Sequence, residues 1–448
     1  MIRYGKKRLS SFQLIIIGFL FVILTGSILL MLPVSAQSGR MTSFEEALFT
    51  AASATCVTGL VVHDTATYWS VFGQIVILFL IQIGGMGVVT IAVSLAAISG
   101  KKIGLKQRTT MQEAISAPEV GGIVRLTGFI LKATFAIELT GACLLLPAFC
   151  RDFGIPKGIW YAIFHSISAF CNAGFDLMGV RTPYSSLTDY QTNGLVNAVI
   201  MLLIIIGGIG FLTWADICKN GIHFKKYRMQ SKVILCTTAL LLLIPFFYFY
   251  FGEFCRGCWQ NLTWTDRLQA AFFQVVTPRT AGFNTVDQNR LSEAGQTITV
   301  ILMLIGGSPG STAGGMKTTT FAVMLMTMFA VFQRKEDTEC FGRRIDPDIV
   351  KSAATILMMY LTLFLTGGIL ISIAEKLPIL TSLFETASAI GTVGLTLGIT
   401  PTLGHFSRII LILLMFLGRV GGLTLVFAAF SDKEHKKLKL PKEKITVG

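Results

Sequence analysis

The chain has 448 residues, 53% of them hydrophobic and only 14% charged, with a mean hydropathy of +0.68 and a formal net charge of +14. That balance excludes an ordinary water-soluble domain and points to an integral membrane protein. The positive charge argues against a nucleic-acid binder, because its lysines and arginines fall in five separated segments rather than on one basic face.

In chain order, residues 1–10 carry Arg3, Lys6, Lys7 and Arg8 and lead into a first apolar run at 11–34. The basic start and Val34-Ser35-Ala36 imitate a secretory signal. The apolar stretch between them, however, is longer than the roughly 7–15 residues of an h-region. Further runs at 69–98, 124–149, 193–217, 232–252, 296–330, 352–374 and 406–430 are each long enough to cross a core about 30 Å thick. Eight crossings put all five basic segments (the N-terminus, 101–108, 219–232, 334–351 and 433–444) on one side. The positive-inside rule then makes both termini cytoplasmic. The lysine-rich tail, Lys433 to Lys444, is expected against anionic lipid headgroups.

Nine cysteines add little, since most lie in or beside apolar runs, where a free thiol behaves as a small hydrophobe. Cys255-Arg256-Gly257-Cys258 on the outer side leaves a local disulfide and two free thiols both open. Asn261-Leu262-Thr263 matches a glycosylation sequon.

Four short stretches rhyme: Val57-Thr58-Gly59-Leu60, Asn172-Ala173-Gly174-Phe175, Thr280-Ala281-Gly282-Phe283 and Thr392-Val393-Gly394-Leu395. Their glycines recur at intervals of 115, 108 and 112 residues, which marks four copies of one unit. Each turn follows a segment too short to span the membrane, near 42–54, 157–170, 265–277 and 381–390. Ser43-x-x-Glu46 and Ser382-x-x-Glu385 read as capping boxes, and Thr265-Asp266 as a third helix start. The expected unit is therefore a long helix, a re-entrant helix dipping from outside, the glycine turn and a second long helix. Re-entrant backbone is tolerated only where it is buried in protein or lines a watery cavity. Small residues around glycine at that depth bare carbonyls to a dehydrated cation, and the helix C-termini aim partial negative charge at the same place.

A second rhyme is a glycine cluster in each unit's second long helix: Gly84-Gly85-Met86-Gly87, Gly207-Gly208-Ile209-Gly210, Gly306-Gly307-Ser308-Pro309-Gly310 and Gly418-Arg419-Val420-Gly421-Gly422. Close helix packing is the plain reading of any one cluster. Register with four glycine turns argues for the repeat. The third unit departs from the others. Gly306, Gly307, Ser308, Pro309, Gly310, Ser311, Thr312, Ala313, Gly314, Gly315, Met316 and Lys317 cannot easily continue a helix, so they are expected as an unwound loop below the turns and as the moving part. Lys317 and Arg419 are cations within apolar runs. Lys317 is read either as functional or as snorkelling to the interface. Arg419 is read as an electrostatic barrier to cations, with a structural role, held by carbonyls of the loop or of neighbouring helices, as the alternative.

These residues resemble the KtrB/TrkH superfamily of potassium uptake proteins, over about residues 11–430 and most closely its shorter KtrB branch. The resemblance implies an all-α integral membrane fold of four fused repeats, eight transmembrane and four re-entrant helices, with pseudo-four-fold symmetry around one pore. It implies that the sixteen residues of the four turns form a K⁺ selectivity filter through their carbonyls. The loop Gly306–Lys317 would then gate, and Arg419 would stand in the pore. It also implies a homodimer and a separate cytosolic nucleotide-binding regulatory ring of the KtrA kind, and it leaves dependence on Na⁺ open. The only G-x-G run, Gly208-Ile209-Gly210, sits in an apolar span with no strand before it, so no organic cofactor is expected in this chain. None of the turns has the Tyr-Gly continuation of a potassium channel and the second has Asn172, which lowers the expected discrimination between K⁺ and Na⁺.

The expected boundaries are repeat 1 at 11–98, a cytoplasmic linker at 99–121, repeat 2 at 122–219, a linker at 220–230, repeat 3 at 231–333, a linker at 334–350, repeat 4 at 351–430 and the tail at 431–448. The competing function is a secondary transporter with broken helices, which would show two halves with one matched pair of breaks. His63-Asp64 and His165 invite an enzymatic reading, but five scattered histidines form no assembled acid–base site.

Overall fold

The computed structural model describes residues 10–98, 104–115, 122–260 and 262–421. The sequon at Asn261, Gly422 and the basic tail lie outside these residues, as do residues 1–9 and parts of the first linker. The regular structure of the described chain is helical apart from one small hairpin. The first stretch holds α1 (Ser11–Met31), α2 (Phe44–Thr55), the single turn α3 (Thr65–Tyr68), α4 (Val71–Met86) and α5 (Val88–Ile98). Helix α6 (Leu105–Ile115) occupies the expected linker. The second stretch holds α7 (Ile123–Phe153), α8 (Ile155–Phe170), α9 (Gly194–Ile209) and α10 (Phe211–Asn220). The third holds α11 (Met229–Tyr248), α12 (Trp264–Val276), α13 (Glu293–Leu304) and α14 (Thr318–Phe332), followed by β1 (Glu339–Cys340) paired antiparallel with β2 (Arg343–Arg344). The fourth holds α15 (Pro347–Glu375), α16 (Ile379–Gly391) and α17 (His405–Val420).

Among the described residues, four unbroken helices are long and apolar enough to cross a membrane: α1, α7, α11 with its widened last turn, and α15. Their outward faces are greasy, with Phe21, Phe135, Phe247 and Ile373 between 55% and 71% exposed. Such continuous exposed apolar surface suits lipid rather than water.

The second helix of each stretch differs from the expected continuous span. Helices α4 and α5 are separated at Gly87 (φ +86), α9 and α10 at Gly210 (φ +102), and α17 stops at Gly421 (φ +88). A positive φ cannot be threaded into a right-handed helix, so the chain turns; α9 and α10 meet at 97°. The run 296–330 divides into α13, a loop and α14, as its glycines and proline led one to expect.

The short helices α2, α8, α12 and α16 fall where the sequence put them, but two starts differ. Ser43 does cap α2, accepting from Glu46 N and donating to the Glu46 carboxylate. The cap of α12 is Thr263, two residues before the expected Thr265, and it accepts from Asp266 N. Helix α16 begins after Pro378, because α15 ends in a left-handed Lys376 only two residues earlier. Ser382 therefore sits one turn inside, its hydroxyl returning to Pro378 O, and Glu385 is no capping partner.

The packing closes on itself. Helix α4 packs on α8, α9 on α12, α13 on α16, and α17 on α2. The second helix of each stretch thus supports the short helix of the next, and the last supports the first.

Candidate functional site

Each short helix carries the same buried spacing, a phenylalanine four residues before a hydroxyl: Phe49/Ser53, Phe164/Ser168, Phe273/Thr277 and Phe384/Ser388. The phenylalanines wedge each helix into the core. The hydroxyl residues then hold the turn that follows. Thr58 N, Ala173 N and Val393 N each donate at 2.8 Å to the carbonyl of Ser53, Ser168 or Ser388, and Ala281 N donates at 3.0 Å to Thr277 O. Gly59 N and Gly394 N donate to Ser53 Oγ (3.1 Å) and Ser388 Oγ (3.0 Å). Ser168 Oγ and Thr277 Oγ1 instead donate to Phe175 O (2.7 Å) and Phe283 O (2.6 Å). These bonds turn the amide donors back toward the helix, and the acceptors are left on the other side.

Two left-handed residues shape each turn. The glycines have φ of +89, +69, +80 and +94 at Gly59, Gly174, Gly282 and Gly394. The residues two before them, Val57, Asn172, Thr280 and Thr392, also have positive φ, between +51 and +61. For a β-branched side chain this conformation costs on the order of 1–3 kcal/mol and marks stored strain.

The four turns meet. A Cβ on Gly59 would lie 2.6 Å from Ala173 O, one on Gly174 2.6 Å from Ala281 O, one on Gly282 2.3 Å from Val393 O, and one on Gly394 2.3 Å from Thr58 O. The cycle runs through all four and returns to its start. Four equivalent carbonyls, of Thr58, Ala173, Ala281 and Val393, therefore converge where only glycine fits, and they accept no hydrogen bond from the described residues. The hydroxyls of Thr58, Thr280 and Thr392 are buried there without partners as well. Uncompensated acceptors at one point cost free energy unless something positive occupies it. On one side of the ring lies a cavity of about 50 Å³ lined by the four glycines and by Val61, Asp176, Asn284 and Thr396, each two residues after its glycine.

Asn172 does not add its side chain to this ring of acceptors. Its Nδ2 donates to Arg279 O at 3.1 Å, and its Oδ1 accepts from Thr312 Oγ1 at 3.0 Å, so it ties the second turn to the loop.

The first glycine of three clusters is a socket for the end of its own short helix. A Cβ on Gly84, Gly207 or Gly418 would lie 2.0–2.1 Å from Thr55 O, Phe170 O or Ile390 O. Packing is thus the local task of these glycines. The loop Gly306–Lys317 lies on these sockets. Gly306 N bonds Met316 O (2.8 Å), Ser308 N bonds Gly208 O (3.0 Å), Thr312 N bonds Gly207 O (3.2 Å) and Gly315 N bonds Gly418 O (3.2 Å). Gly307 N bonds Gly314 O (3.3 Å), Ser311 Oγ bonds Ser308 O (2.7 Å), and Gly310 O accepts from Phe211 N (2.7 Å).

Arg419 joins the loop to the first stretch. Its guanidinium donates to Thr312 O, to Gly84 O and, at 3.1 Å, to Gly85 O. Lys317 does not snorkel, for its Nζ turns back to Ala313 O at 2.8 Å. Both cations line a cavity of about 250 Å³ with Gly310, Ser311 and Ala313 of the loop and with Ile115 of α6. Burying an arginine at membrane depth costs about 2.5–3.5 kcal/mol, and each hydrogen bond to a charged group returns about 1.5–3 kcal/mol. Three carbonyls therefore suffice to hold it.

Arg279 is a further cation, buried where Lys317 and Arg419 are only partly so, and sequence reasoning missed it. It is 6% exposed, three residues before Gly282, and its Nη1 has no partner. Its position inside an apolar segment was the available signal. Of the residues that invited an enzymatic reading, His63 stacks on Tyr68 at 3.9 Å and Asp64 accepts from Ala66 N, Thr67 N and Tyr184 N. His165 is enclosed between Tyr161 O and Leu177 N. Cys255 and Cys258 are free thiols.

With this geometry in view, the chain was compared with known proteins. The family model for the TrkH cation transport protein matches residues 9–438. The chain is 43% identical to the potassium/sodium uptake protein NtpJ of Enterococcus hirae, covering 99% of this chain and 98% of that protein. It is 41% identical to the Ktr system potassium uptake protein B of Bacillus subtilis, covering 98% and 97%. The crystal structure of the potassium transporter TrkH from Vibrio parahaemolyticus shares the fold with a TM-score of 0.74 at 19% identity, over 95% of this chain and 86% of that one. The chain is a membrane protein that belongs to the TrkH family of cation transport proteins.

Proposed function

We propose that this chain is the membrane subunit of a potassium uptake system and that K⁺ crosses through the ring of glycine turns. The observation that carries this reading is the closed cycle of four equivalent carbonyls whose donors are all turned away. A dehydrated cation entering the ring exchanges its water ligands for these oxygens, while the ends of four short helices add partial negative charge. The filter comprises Val57–Leu60, Asn172–Phe175, Thr280–Phe283 and Thr392–Leu395. Four repeats, 11–98, 122–219, 231–333 and 351–430, each supply one wall, and their eight crossing helices surround the pore with both termini cytoplasmic. No covalent chemistry is involved.

The loop Gly306–Lys317 is the gate. It lies on the glycine sockets below the filter, and its hydrogen bonds to Gly207, Gly208 and Gly418 must break for it to move. Arg419 holds the loop and sets a positive barrier in the cation path. A homodimer carrying a separate, KtrA-like cytosolic nucleotide-binding ring supplies the regulation, in keeping with the Ktr system to which the Bacillus subtilis relative is assigned by name. Discrimination against Na⁺ is modest, because each wall offers a single glycine turn; the Enterococcus hirae relative is named for both ions.

The test is K⁺, Rb⁺ and Na⁺ flux into liposomes containing the purified protein, with Gly282→Ser alongside. The new Cβ would fall 2.3 Å from Val393 O, so the K⁺/Na⁺ ratio is expected to collapse while the dimer persists. Absence of cation flux in both proteins, even after deletion of 306–317, would overturn the reading.

A further inference from the structure

The short helices hold a second equivalent position, the residue directly after the buried phenylalanine. It is Thr50, His165, Gln274 and Glu385 in chain order, each no more than 1% exposed. Three of these side chains cross from the helix to the chain that leaves the glycine turn. His165 donates through Nδ1 to Tyr161 O (2.7 Å) and accepts at Nε2 from Leu177 N (3.2 Å), three residues beyond Gly174. Gln274 exchanges two hydrogen bonds with Gln288 (2.9 and 3.1 Å), six residues beyond Gly282, and donates to Thr299. Glu385 accepts from the hydroxyls of Thr396 and Thr400, the latter at 3.0 Å, two and six residues beyond Gly394. The first wall lacks this tie, as Thr50 Oγ1 returns to Glu46 O in its own helix. Its substitute is Glu46 with His63 at 3.1 Å, each 26% exposed, and a pair in reach of water holds less firmly than one in the core.

We propose that His165, Gln274 and Glu385 are positioning residues of the cation filter. Each is a buried clamp that fixes the outgoing strand of its wall so that the carbonyls cannot close around a smaller ion. The proposal rests on the filter reading above. A filter favours K⁺ only while its oxygens keep their number and spacing. A wall cut loose from its helix can follow Na⁺ inward, and selectivity falls while the path stays open. The clamps differ chemically because each only has to match its own partners: an amide N–H for the histidine, an amide for the glutamine, two hydroxyls for the carboxyl group.

The decisive comparison is Glu385→Ala, Glu385→Gln and Thr400→Val in the full-length protein in liposomes, with Gly282→Ser as reference. Glu385→Ala is expected to lower the K⁺/Na⁺ flux ratio about tenfold and to leave maximal K⁺ flux within about threefold. Glu385→Gln keeps an acceptor for the threonines and is expected to restore the ratio. Thr400→Val, which removes one bond and little volume, is expected to lower it about threefold, and it carries the test if Glu385→Ala does not fold. A residue that only stabilised the fold would reduce flux and thermal midpoint together without moving the ratio. An unchanged ratio in Glu385→Ala and Thr400→Val, with Gly282→Ser altered, overturns the clamp proposal alone. An unchanged ratio in Gly282→Ser as well overturns the filter reading beneath it.

Discussion

Val57 shows at the scale of one residue what the site costs. A β-branched valine at φ +51 is among the least comfortable placements a backbone offers, and it persists because Thr58 N and Gly59 N are tied to Ser53. On the proposed path, Asp176 stands where one residue would tune entry. It lies beyond the second glycine turn, in the connection leading to α9, and lines the cavity beside the four glycines, which the proposed topology turns outward. Burial, reinforced by the nearby Asp64 charge, pushes its carboxyl up to about 7, against the pull of Met178 N and Ser186. The group is therefore charged above about pH 7 and neutral below it. A negative mouth concentrates entering cations, so acidification should weaken uptake. The KM for K⁺ is expected to rise by roughly tenfold as external pH falls through 7, and Asp176→Asn should show the high KM at every pH. A KM in the wild type that ignores external pH would refute this assignment.

At the scale of the element, the glycine turns were legible because they repeat. Four similar tetrapeptides at near-equal intervals need one explanation, and the structure brings all four to one ring. The short helices were legible as apolar segments too brief to cross. The breaks at Gly87 and Gly210 were not. Hydrophobicity runs unchanged through both, and a glycine in a membrane helix packs as readily as it bends. The caps of α12 and α16 were misplaced because serine and threonine recur near each start, and only the geometry of the preceding turn selects one. The clamps were invisible, since a histidine, a glutamine and a glutamate share no pattern until Phe164, Phe273 and Phe384 align them. The loop Gly306–Lys317 was plain from its glycines and proline, and carbonyls of the loop or of neighbouring helices were the structural alternative for Arg419; that they are those of Thr312, Gly84 and Gly85 was not legible, because 107 residues separate Thr312 from the arginine. That contact makes a prediction about the gate. Arg419→Gln removes most of the guanidinium's grip on Thr312, Gly84 and Gly85 together with its positive charge. If the loop gates the path as proposed, cation flux through this chain alone in liposomes is expected to rise at least tenfold, which corresponds to about 1.4 kcal/mol. Equal or lower flux in a folded variant would show that the arginine neither latches the loop nor opposes the ion.

At the scale of the whole molecule, the described helices close into a ring. Each second helix braces the next short helix, α4 on α8, α9 on α12, α13 on α16 and α17 on α2, so two of these four contacts join the halves of the chain. The connection between the halves, around 221–228, adds little to that ring; Ile222 is 96% exposed, and the segment's 3-10 turn, Phe224–Lys226, buries no residue. A chain cut there keeps every wall, every clamp and the Arg419 contacts, provided the two pieces find each other. Fragments 1–222 and 223–448, produced together in cells lacking their own potassium uptake, are therefore expected to restore growth at low K⁺, and neither fragment alone should do so. One fragment alone holds two walls, and an open arc of carbonyls leaves a cation half-hydrated against apolar helix faces, with no gain over water. Growth supported by a single fragment would mean that two walls, alone or doubled by self-association, suffice, and the four-walled ring would lose its claim to be the conducting unit. Failure of the pair despite insertion of both would mean that the order of the ring is fixed only while one chain carries it.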